Sequence, residues 1–370
     1  MRAINVLVVD DSAFMRRAIS KMLEGEQDIV VCATARSGEE GVSKVLQYRP
    51  DVITMDVEMP GVGGLEAVRQ IMAQRRTPII MVSSLTHEGA DTTFRALELG
   101  AVDFISKPDA AYVNITDVAR DLVAKVRTFA HRPAETSVTL APSGHGPSMA
   151  VVVPRILAMP GLPKIPTAYH RVGRDAFECV AIGTSTGGPV ALSKLIPRLP
   201  ADFPCPILIV QHMPLGFTRP LSERLNSQSK ISVKEAAVGM SLRAGEVLIV
   251  PSGKQVSLRT TGYGVEIGLH ADDGTSLHVP SVDVMTEAVA RIYGRTAIGV
   301  IMTGMGQDGV RGLRVLKSRG GFVIGQDEAT CVVYGMPRAA AKEGLVDRVA
   351  DLTEIPTILC ELTARDLANS

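Results

Sequence analysis

The sequence predicts two α/β domains, each with a parallel sheet covered by helices on both faces, joined by a proline-rich linker. Short buried apolar runs alternate with amphipathic stretches in both halves of the chain, which is typical of parallel sheets. Prolines, glycines and serines interrupt this alternation between the halves. The length of 370 residues also suggests two domains. We expect one domain over 1–128, a linker over 129–173 and a second domain over 174–370.

Five short apolar runs predict the strands of the first domain. The amphipathic stretches Phe14–Leu23 and Gly38–Gln47 predict helices between strands, and Ala119–Ala130 predicts a closing helix. Parallel neighbours need such helical crossovers, so a doubly wound sheet follows. The predicted strands are Ile4–Val9, Ile29–Ala33, Val52–Met55, Ile79–Val82 and Asp103–Ile105.

The second domain repeats the alternation with an added hairpin. Val256–Arg259 and Val265–Leu269 flank Thr261 and Gly262, which predicts two antiparallel strands with a tight turn. Five other apolar runs predict buried parallel strands. These are Cys179–Gly183, Ile207–Gln211, Val247–Val250, Ala297–Met302 and Phe322–Gly325.

Composition argues against several functional classes. Lys plus Arg equals Asp plus Glu, 39 each, so there is no electrostatic footprint for nucleic acid or an anionic membrane. No apolar stretch approaches the ~20 residues of a membrane helix. The apolar run near the start is too short, and is followed by too many acidic residues, for a secretory signal. The five cysteines form no Cys-x-x-Cys pair, so we expect free thiols in a reducing cytoplasm.

Charged side chains stand at the carboxyl ends of the strands predicted in the first domain. Asp10 and Asp11 follow the first strand, Asp56 the third and Lys107 the fifth. These ends share one sheet edge, where open α/β sheets bind ligands, and crowded carboxylates there need a hard cation such as Mg²⁺. The pattern suits a phosphoryl acceptor, with one carboxylate as nucleophile and Lys107 and Ser83 binding the transferred group.

An aspartate pair before a serine is also a common helix cap, and for Asp10 and Asp11 alone that would be the simpler interpretation. Four matched strand ends, counting Ser83 at the end of the fourth strand, make it the weaker one. The stretches Val-Val-Asp10-Asp11-Ser, Thr-Met-Asp56-Val-Glu-Met-Pro-Gly, Val-Ser83-Ser and Ser-Lys107-Pro resemble a two-component receiver domain over about the first 125 residues.

This resemblance implies a flavodoxin-like fold for the first domain. It also implies that a partner histidine kinase phosphorylates Asp56. Mg²⁺ would be bound by Asp11, Asp56 and the backbone carbonyl of Glu58, with Asp10 beside them. Phe104 stands where the family has its mobile aromatic residue.

A glycine-rich turn opens the second domain's candidate site. Gly183-Thr184-Ser185-Thr186-Gly187 follows a predicted strand, precedes a helix and fits the Gly-x-Ser-x-Gly form of a nucleophile turn. The helix N-terminus would offer N–H groups to an oxyanion. Taken alone, the turn fits a phosphate- or nucleotide-binding loop equally well.

His212 and Asp308 favour the catalytic interpretation. His212 ends the strand predicted after the serine turn, and Asp308 lies in the glycine-rich turn after the strand Ala297–Met302. A lone histidine is more often structural, and Asp308 alone would be a turn residue or a helix cap for Val310–Lys317. Three strand ends with complementary roles instead predict a nucleophile, a base and an orienting carboxylate, in the chain order Ser185, His212, Asp308.

The second domain resembles the chemotaxis-type protein-glutamate methylesterases over about 178–350. The matching stretches are Ala-Ile-Gly-Thr-Ser185-Thr-Gly-Gly, Val-Gln-His212-Met-Pro, Pro280-Ser-Val-Asp283, Met302-Thr-Gly-Met-Gly-Gln-Asp308-Gly and Gln326-Asp-Glu-Ala-Thr-Cys-Val-Val-Tyr-Gly-Met-Pro. Thr184 stands where the family usually has alanine.

The resemblance implies a Rossmann-like domain that hydrolyses glutamate γ-methyl esters on methyl-accepting chemoreceptors and deamidates specific glutamines. The backbone N–H of Met305, with Thr186 nearby, is the candidate oxyanion site, and the hydrolase site is expected to need no metal. Two other classes of protein fit the sequence less well. A transcriptional regulator would show a basic recognition helix, which residues 178–350 lack, and a nucleotide-binding module would have no use for His212 and Asp308.

Overall fold

The computed structural model of the chain describes residues 2–84, 86–107, 115–130 and 176–364. Two parallel sheets organise these residues, one before and one after the gap at 131–175, in agreement with the predicted fold class. The predicted linker lies almost entirely outside the described residues, so the domain boundaries stay predictions. No helix in the described ranges is both long and apolar enough to cross a membrane.

The first sheet confirms the five predicted strands, and the largest difference is that the second strand continues from Ala33 to Ala35. Its elements are β1 (Ile4–Val9), α1 (Ala13–Glu24), β2 (Ile29–Ala35), α2 (Gly38–Tyr48), β3 (Val52–Asp56), α3 (Gly64–Gln74), β4 (Ile79–Ser83), α4 (His87–Glu98), β5 (Asp103–Ser106) and α5 (Ile115–Ala130). The strand order is β2-β1-β3-β4-β5, all parallel. Every residue of β3 and β4 is buried, as expected for central strands covered on both faces.

The second sheet has seven parallel strands among the described residues, in the order β14-β13-β12-β6-β7-β9-β8. Its strands are β6 (Cys179–Thr184), β7 (Ile207–Gln211), β8 (Ser232–Glu235), β9 (Glu246–Ile249), β12 (Ala297–Ile301), β13 (Phe322–Gln326) and β14 (Arg348–Ala350). The predicted hairpin forms from β10 (Gln255–Thr261) and β11 (Gly264–His270). The helices are α6 (Gly188–Leu195), α7 (Thr218–Gln228), α8 (Val282–Tyr293), α9 (Val310–Ser318), α10 (Met336–Lys342) and α11 (Ile355–Thr363).

The strands β8 and β14 were not predicted from the sequence. They are the two edge strands of the sheet, and they are short and partly exposed, so neither shows the buried apolar run on which such a prediction depends. At the centre, β6 is flanked by β7 on one side and β12 on the other. The chain thus reverses its direction of winding beside β6, which is where doubly wound sheets place their sites.

The two domains pack against each other through α4, α6 and α7. Phe217, which immediately precedes α7, is buried against Phe94 and Phe104 of the first domain, with ring centroids 6.5 and 4.8 Å apart. At the rim of this contact, Arg224 donates hydrogen bonds of 2.7 Å to Asp91 and to Glu98 of α4. The interface therefore has an apolar centre and a charged edge.

Candidate phosphoacceptor site and active site

The carboxyl edge of the first sheet gathers the residues assigned to phosphoryl transfer. The Lys107 Nζ lies 2.7 and 2.8 Å from the two carboxylate oxygens of Asp56. Carboxylate oxygens of Asp10, Asp11 and Asp56 lie within 4.8 Å of one another. Asp10 and Asp56 are fully buried and Asp11 is exposed, so the cluster opens to solvent on the Asp11 side.

The charge balance of this cluster suits a divalent cation. Burial, followed by the charge of Asp56, raises the pKa of Asp10 to about 6. Burial also raises the pKa of Asp56, although Lys107 opposes it. The buried Oδ2 of Asp10 has no hydrogen-bond partner among the described residues. A cation with oxygen ligands would neutralise the excess negative charge and bind the unpaired oxygen, so these residues fit a site for Mg²⁺.

Ser83 and Glu58 stand at the same edge, but their polar groups have local partners. The Ser83 hydroxyl donates to the carbonyl of Gly89 at 3.2 Å and accepts from Thr93 at 2.8 Å. The amide of Glu58 donates to Asp56 at 3.2 Å. Ser83 would have to exchange these bonds to reach a phosphoryl group, and the roles given to Ser83 and Glu58 stay predictions.

At the second sheet, Ser185, His212 and Asp308 follow the adjacent strands β6, β7 and β12. The backbone amide of Ser185 donates to the carbonyl of Thr303 at 3.0 Å. The backbone amide of His212 donates at 3.1 Å to the carbonyl of Thr184, the residue before Ser185. The side-chain amide of Gln211 donates at 2.8 Å to the backbone carbonyls of both Ser185 and His212. The serine and histidine turns are therefore fixed to each other.

Two glycines allow the chain to pass close to Ser185. Gly187 has a φ of 77°, in the left-handed region that favours glycine. A Cβ at Gly304 would lie 2.2 Å from the Met336 sulfur and 2.8 Å from the Ser185 Cβ. The backbone of the turn after β12 can thus approach the candidate nucleophile only because position 304 has no side chain.

The N-terminus of α8 holds the Asp308 carboxylate. Oδ2 accepts from Nε2 of His212 at 2.8 Å and from the amide of Val282 at 2.7 Å. Oδ1 accepts from the hydroxyl of Ser281 at 2.9 Å and the amide of Asp283 at 3.1 Å. Amides at a helix N-terminus stabilise an anion. This role of Ser281, which also caps α8, was not predicted from the sequence. The available signal was the serine that begins Ser281-Val-Asp283.

These contacts determine the tautomer of His212. Burial alone would raise the pKa of Asp308, but the hydrogen bond and charge of His212 and the α8 amides outweigh it and hold the pKa well below its usual range. Asp308 is therefore a carboxylate, and a neutral His212 carries its proton on Nε2. The buried Nδ1 is left as an acceptor without a partner among the described residues. Chymotrypsin-type triads use the two nitrogens the other way round.

The two candidate oxyanion residues contact the first domain. Thr186 is buried beside Asp103. Burial raises the pKa of Asp103, although Lys125 and, to a smaller extent, a hydrogen bond with the Thr186 side chain oppose this shift. The Met305 sulfur accepts a hydrogen bond from the hydroxyl of Thr128 at 3.1 Å. The receiver-like domain therefore lies against the two residues that the sequence predicts for the oxyanion site.

The fold and the two sites define a hydrolase that carries a receiver domain. Residues 6–115 match the family model described as response regulator receiver domain, and residues 180–359 match the model described as CheB methylesterase. The chain belongs to the CheB methylesterase family.

Relatives match over nearly the whole chain. The protein-glutamate methylesterase/protein-glutamine glutaminase of Lawsonia intracellularis is 44% identical over 353 residues, covering 95% of this chain and 96% of the relative. The protein of that name from Symbiobacterium thermophilum is 47% identical over 362 residues, covering 96% and 95%. The crystal structure of the Thermotoga maritima CheB methylesterase catalytic domain is 43% identical with a TM-score of 0.50, covering 51% of this chain and 100% of that one.

Proposed function

We propose that this chain hydrolyses glutamate γ-methyl esters on methyl-accepting chemoreceptors, and deamidates specific glutamines there, under control of phosphorylation at Asp56. The observation that carries the proposal is the hydrogen-bonded pair of His212 and Asp308. The unpartnered Nδ1 of His212 lies at the same sheet edge as Ser185. The relatives that match nearly the whole chain carry the corresponding name.

Ser185 is the nucleophile of the proposed reaction. As its Oγ attacks the ester carbonyl, Nδ1 of His212 takes the hydroxyl proton, and Asp308 stabilises the imidazolium that forms. The tetrahedral intermediate collapses when His212 returns the proton to the departing methanol, leaving an acyl-enzyme. Water then attacks the acyl carbon, His212 takes its proton and gives it to Ser185, and the glutamate carboxylate is released.

The same steps serve a glutamine substrate. The amide and the ester both pass through a tetrahedral oxyanion and the same acyl-enzyme, and they differ only in whether ammonia or methanol leaves. The backbone N–H of Met305 is the proposed donor to the oxyanion, with Thr186 nearby. Both lie in turns next to the nucleophile, in the segments that follow β12 and β6.

The first domain supplies the control. Asp56 is the proposed acceptor of a phosphoryl group from a histidine kinase, and Lys107, which already contacts its carboxylate, would bind the transferred group. Asp10, Asp11, Asp56 and the carbonyl of Glu58 would hold Mg²⁺. When bound, the ion supplies positive charge that lets an anionic phosphodonor approach a carboxylate.

Phosphorylation acts in this proposal by weakening the interface. Thr186 and Met305 contact the first domain, so the closed arrangement restricts access of a receptor helix to Ser185. Phe104 and Phe217 form the apolar centre of the same interface. A rearrangement of Phe104 on phosphorylation would favour an open, active state over the closed one.

Methanol release from methylated receptor membranes tests the enzymatic part. The full chain should release methanol, and Ser185→Ala should abolish this release while acetyl phosphate still labels Asp56. Ser227→Ala, an exposed serine on α7, is the matched control and should retain full activity. Full activity in Ser185→Ala would rule out the assignment of the nucleophile.

A further inference from the structure

Besides Asp308, a second side chain contacts the proposed catalytic base. The imidazole of His278 stacks on that of His212, with ring centroids 4.2 Å apart and an interplanar angle of 17°. His278 lies in the connection between β11 and α8. It remains exposed to solvent while His212 is largely buried, so His278 covers the outward side of His212.

The backbone of His278 is fixed to the hairpin. The buried side chain of Gln255, in β10, donates to the carbonyl of His278 at 3.0 Å and accepts from the amide of Ser281 at 2.9 Å. The hydroxyl of Ser281 in turn donates to Asp308 at 2.9 Å. One short segment therefore provides both the ring that stacks on His212 and a hydrogen bond to the carboxylate that orients it.

His212 needs such a restraint. Its ring makes a single hydrogen bond among the described residues, from Nε2 to Asp308, and Nδ1 has no partner. A ring held at one edge can tilt about that bond, and tilting moves Nδ1 away from the serine hydroxyl. A parallel ring at stacking distance opposes the tilt without occupying Nδ1.

The electrostatics of the pair are compatible with this role. Loss of hydration, followed by the charge of His212, lowers the pKa of His278, and Asp308 and Asp121 oppose this only in part. The lowered pKa favours the uncharged form of His278 beside the imidazole of His212. An uncharged aromatic ring does not repel the imidazolium that forms at His212.

We infer that His278 is a positioning residue of the methylesterase, holding the plane of His212 so that Nδ1 meets the hydroxyl of Ser185. This inference rests on the proposed function, because it assigns His278 to the same reaction. Its role requires a flat ring and not a titrating nitrogen. Phenylalanine at this position should therefore support catalysis, whereas glutamine, which is polar but has no ring, should not.

The test measures kcat and KM for methanol release by the full-length chain activated with acetyl phosphate and Mg²⁺. In His278→Ala and His278→Gln we expect kcat to fall on the order of tenfold with KM unchanged, less than the ~100-fold that a misplacement of ~1 Å can cause. His278→Phe should recover most of kcat. His270→Ala, an exposed histidine at the end of β11, is the control and should match the unaltered chain.

Three results would overturn the inference: an unchanged kcat in His278→Ala, a raised KM with unchanged kcat, or a phenylalanine variant as slow as the alanine variant. Labelling of Asp56 by acetyl phosphate and the thermal unfolding midpoint check that each variant is folded. If the unaltered chain releases no methanol, the proposed function fails. If it releases methanol and the variants do not differ, only the role of His278 fails.

Discussion

The ring of Phe104 packs against the ring of Phe217 across the domain interface, with centroids 4.8 Å apart. Phe104 lies in the last strand of the receiver sheet, next to the edge that carries Asp56 and Lys107. Phe217 ends the connection that begins at His212. A change at the candidate phosphoacceptor site and a change at the proposed catalytic histidine can therefore be linked through one pair of aromatic side chains.

The charged rim of this interface should set the basal activity. Arg224 is only 15% exposed and binds two carboxylates of the receiver. Losing such a pair costs the closed state about 1 kcal/mol, or roughly fivefold in its population relative to the open state. We expect Arg224→Gln to raise unphosphorylated methanol release several-fold. Arg314→Gln, whose partner Glu343 lies within the second domain, should leave it unchanged. Equal activities in the two variants would show that the ion pairs of Arg224 do not control activity.

Replacing Asp308 by asparagine should inactivate the enzyme without removing its nucleophile. The asparagine NH₂ group can donate to Nε2 of His212, which moves the ring proton to Nδ1 and leaves no base facing Ser185. By analogy with the same change in a protease triad, we expect kcat to fall ~1,000-fold or more. Methanol release under saturating substrate measures it. A loss of less than tenfold would mean that Asp308 does not determine the tautomer.

Asp308 should also make stability depend on pH. Its pKa is held below the ordinary value of 3.8 in the folded state, so its contribution is present above that value and is lost as pH falls through the folded pKa. We expect the free energy of unfolding to decrease on acidification from about pH 6 to about pH 3, and to decrease less in Asp308→Asn. Urea unfolding of the 174–370 fragment measures this, with Asp202→Asn, an exposed position, as control. Equal pH dependence in both variants would contradict the assignment.

The receiver should bind Mg²⁺ more tightly as pH rises through about 6, the pKa of Asp10. Below that pH the cation must displace a proton, so calorimetry should detect proton release on binding. Without Mg²⁺, the raised pKa of Asp10 makes the fold more stable at low pH than at high pH. Protonation of Asp10 stabilises the fold fully below its ordinary pKa of 3.8, and this contribution is lost as pH rises through about 6. Asp10→Asn should remove both pH dependences, and their persistence would place the titrating group elsewhere.

Much of the fold could be predicted from the sequence because its central strands are continuous buried runs bounded by loops. The edge strands Ser232–Glu235 and Arg348–Ala350 could not, since they lack such runs. Strand-end logic also indicated that Ser185, His212 and Asp308 would share an edge. The contacts of His278 with His212, of Ser281 with Asp308 and of Arg224 with the receiver join segments far apart in the chain, and no local pattern encodes such pairings.

Phosphodonor-dependent methanol release tests whether the receiver domain controls the hydrolase site. The full-length chain and a fragment starting near Arg174 are each assayed on methylated receptor membranes, with and without acetyl phosphate and Mg²⁺. We expect the fragment to be faster than the unphosphorylated full chain. The phosphodonor should accelerate the full chain and should not affect the fragment. A fragment no faster than the unphosphorylated full chain, or a fragment that still responds to the phosphodonor, would contradict control by the receiver domain.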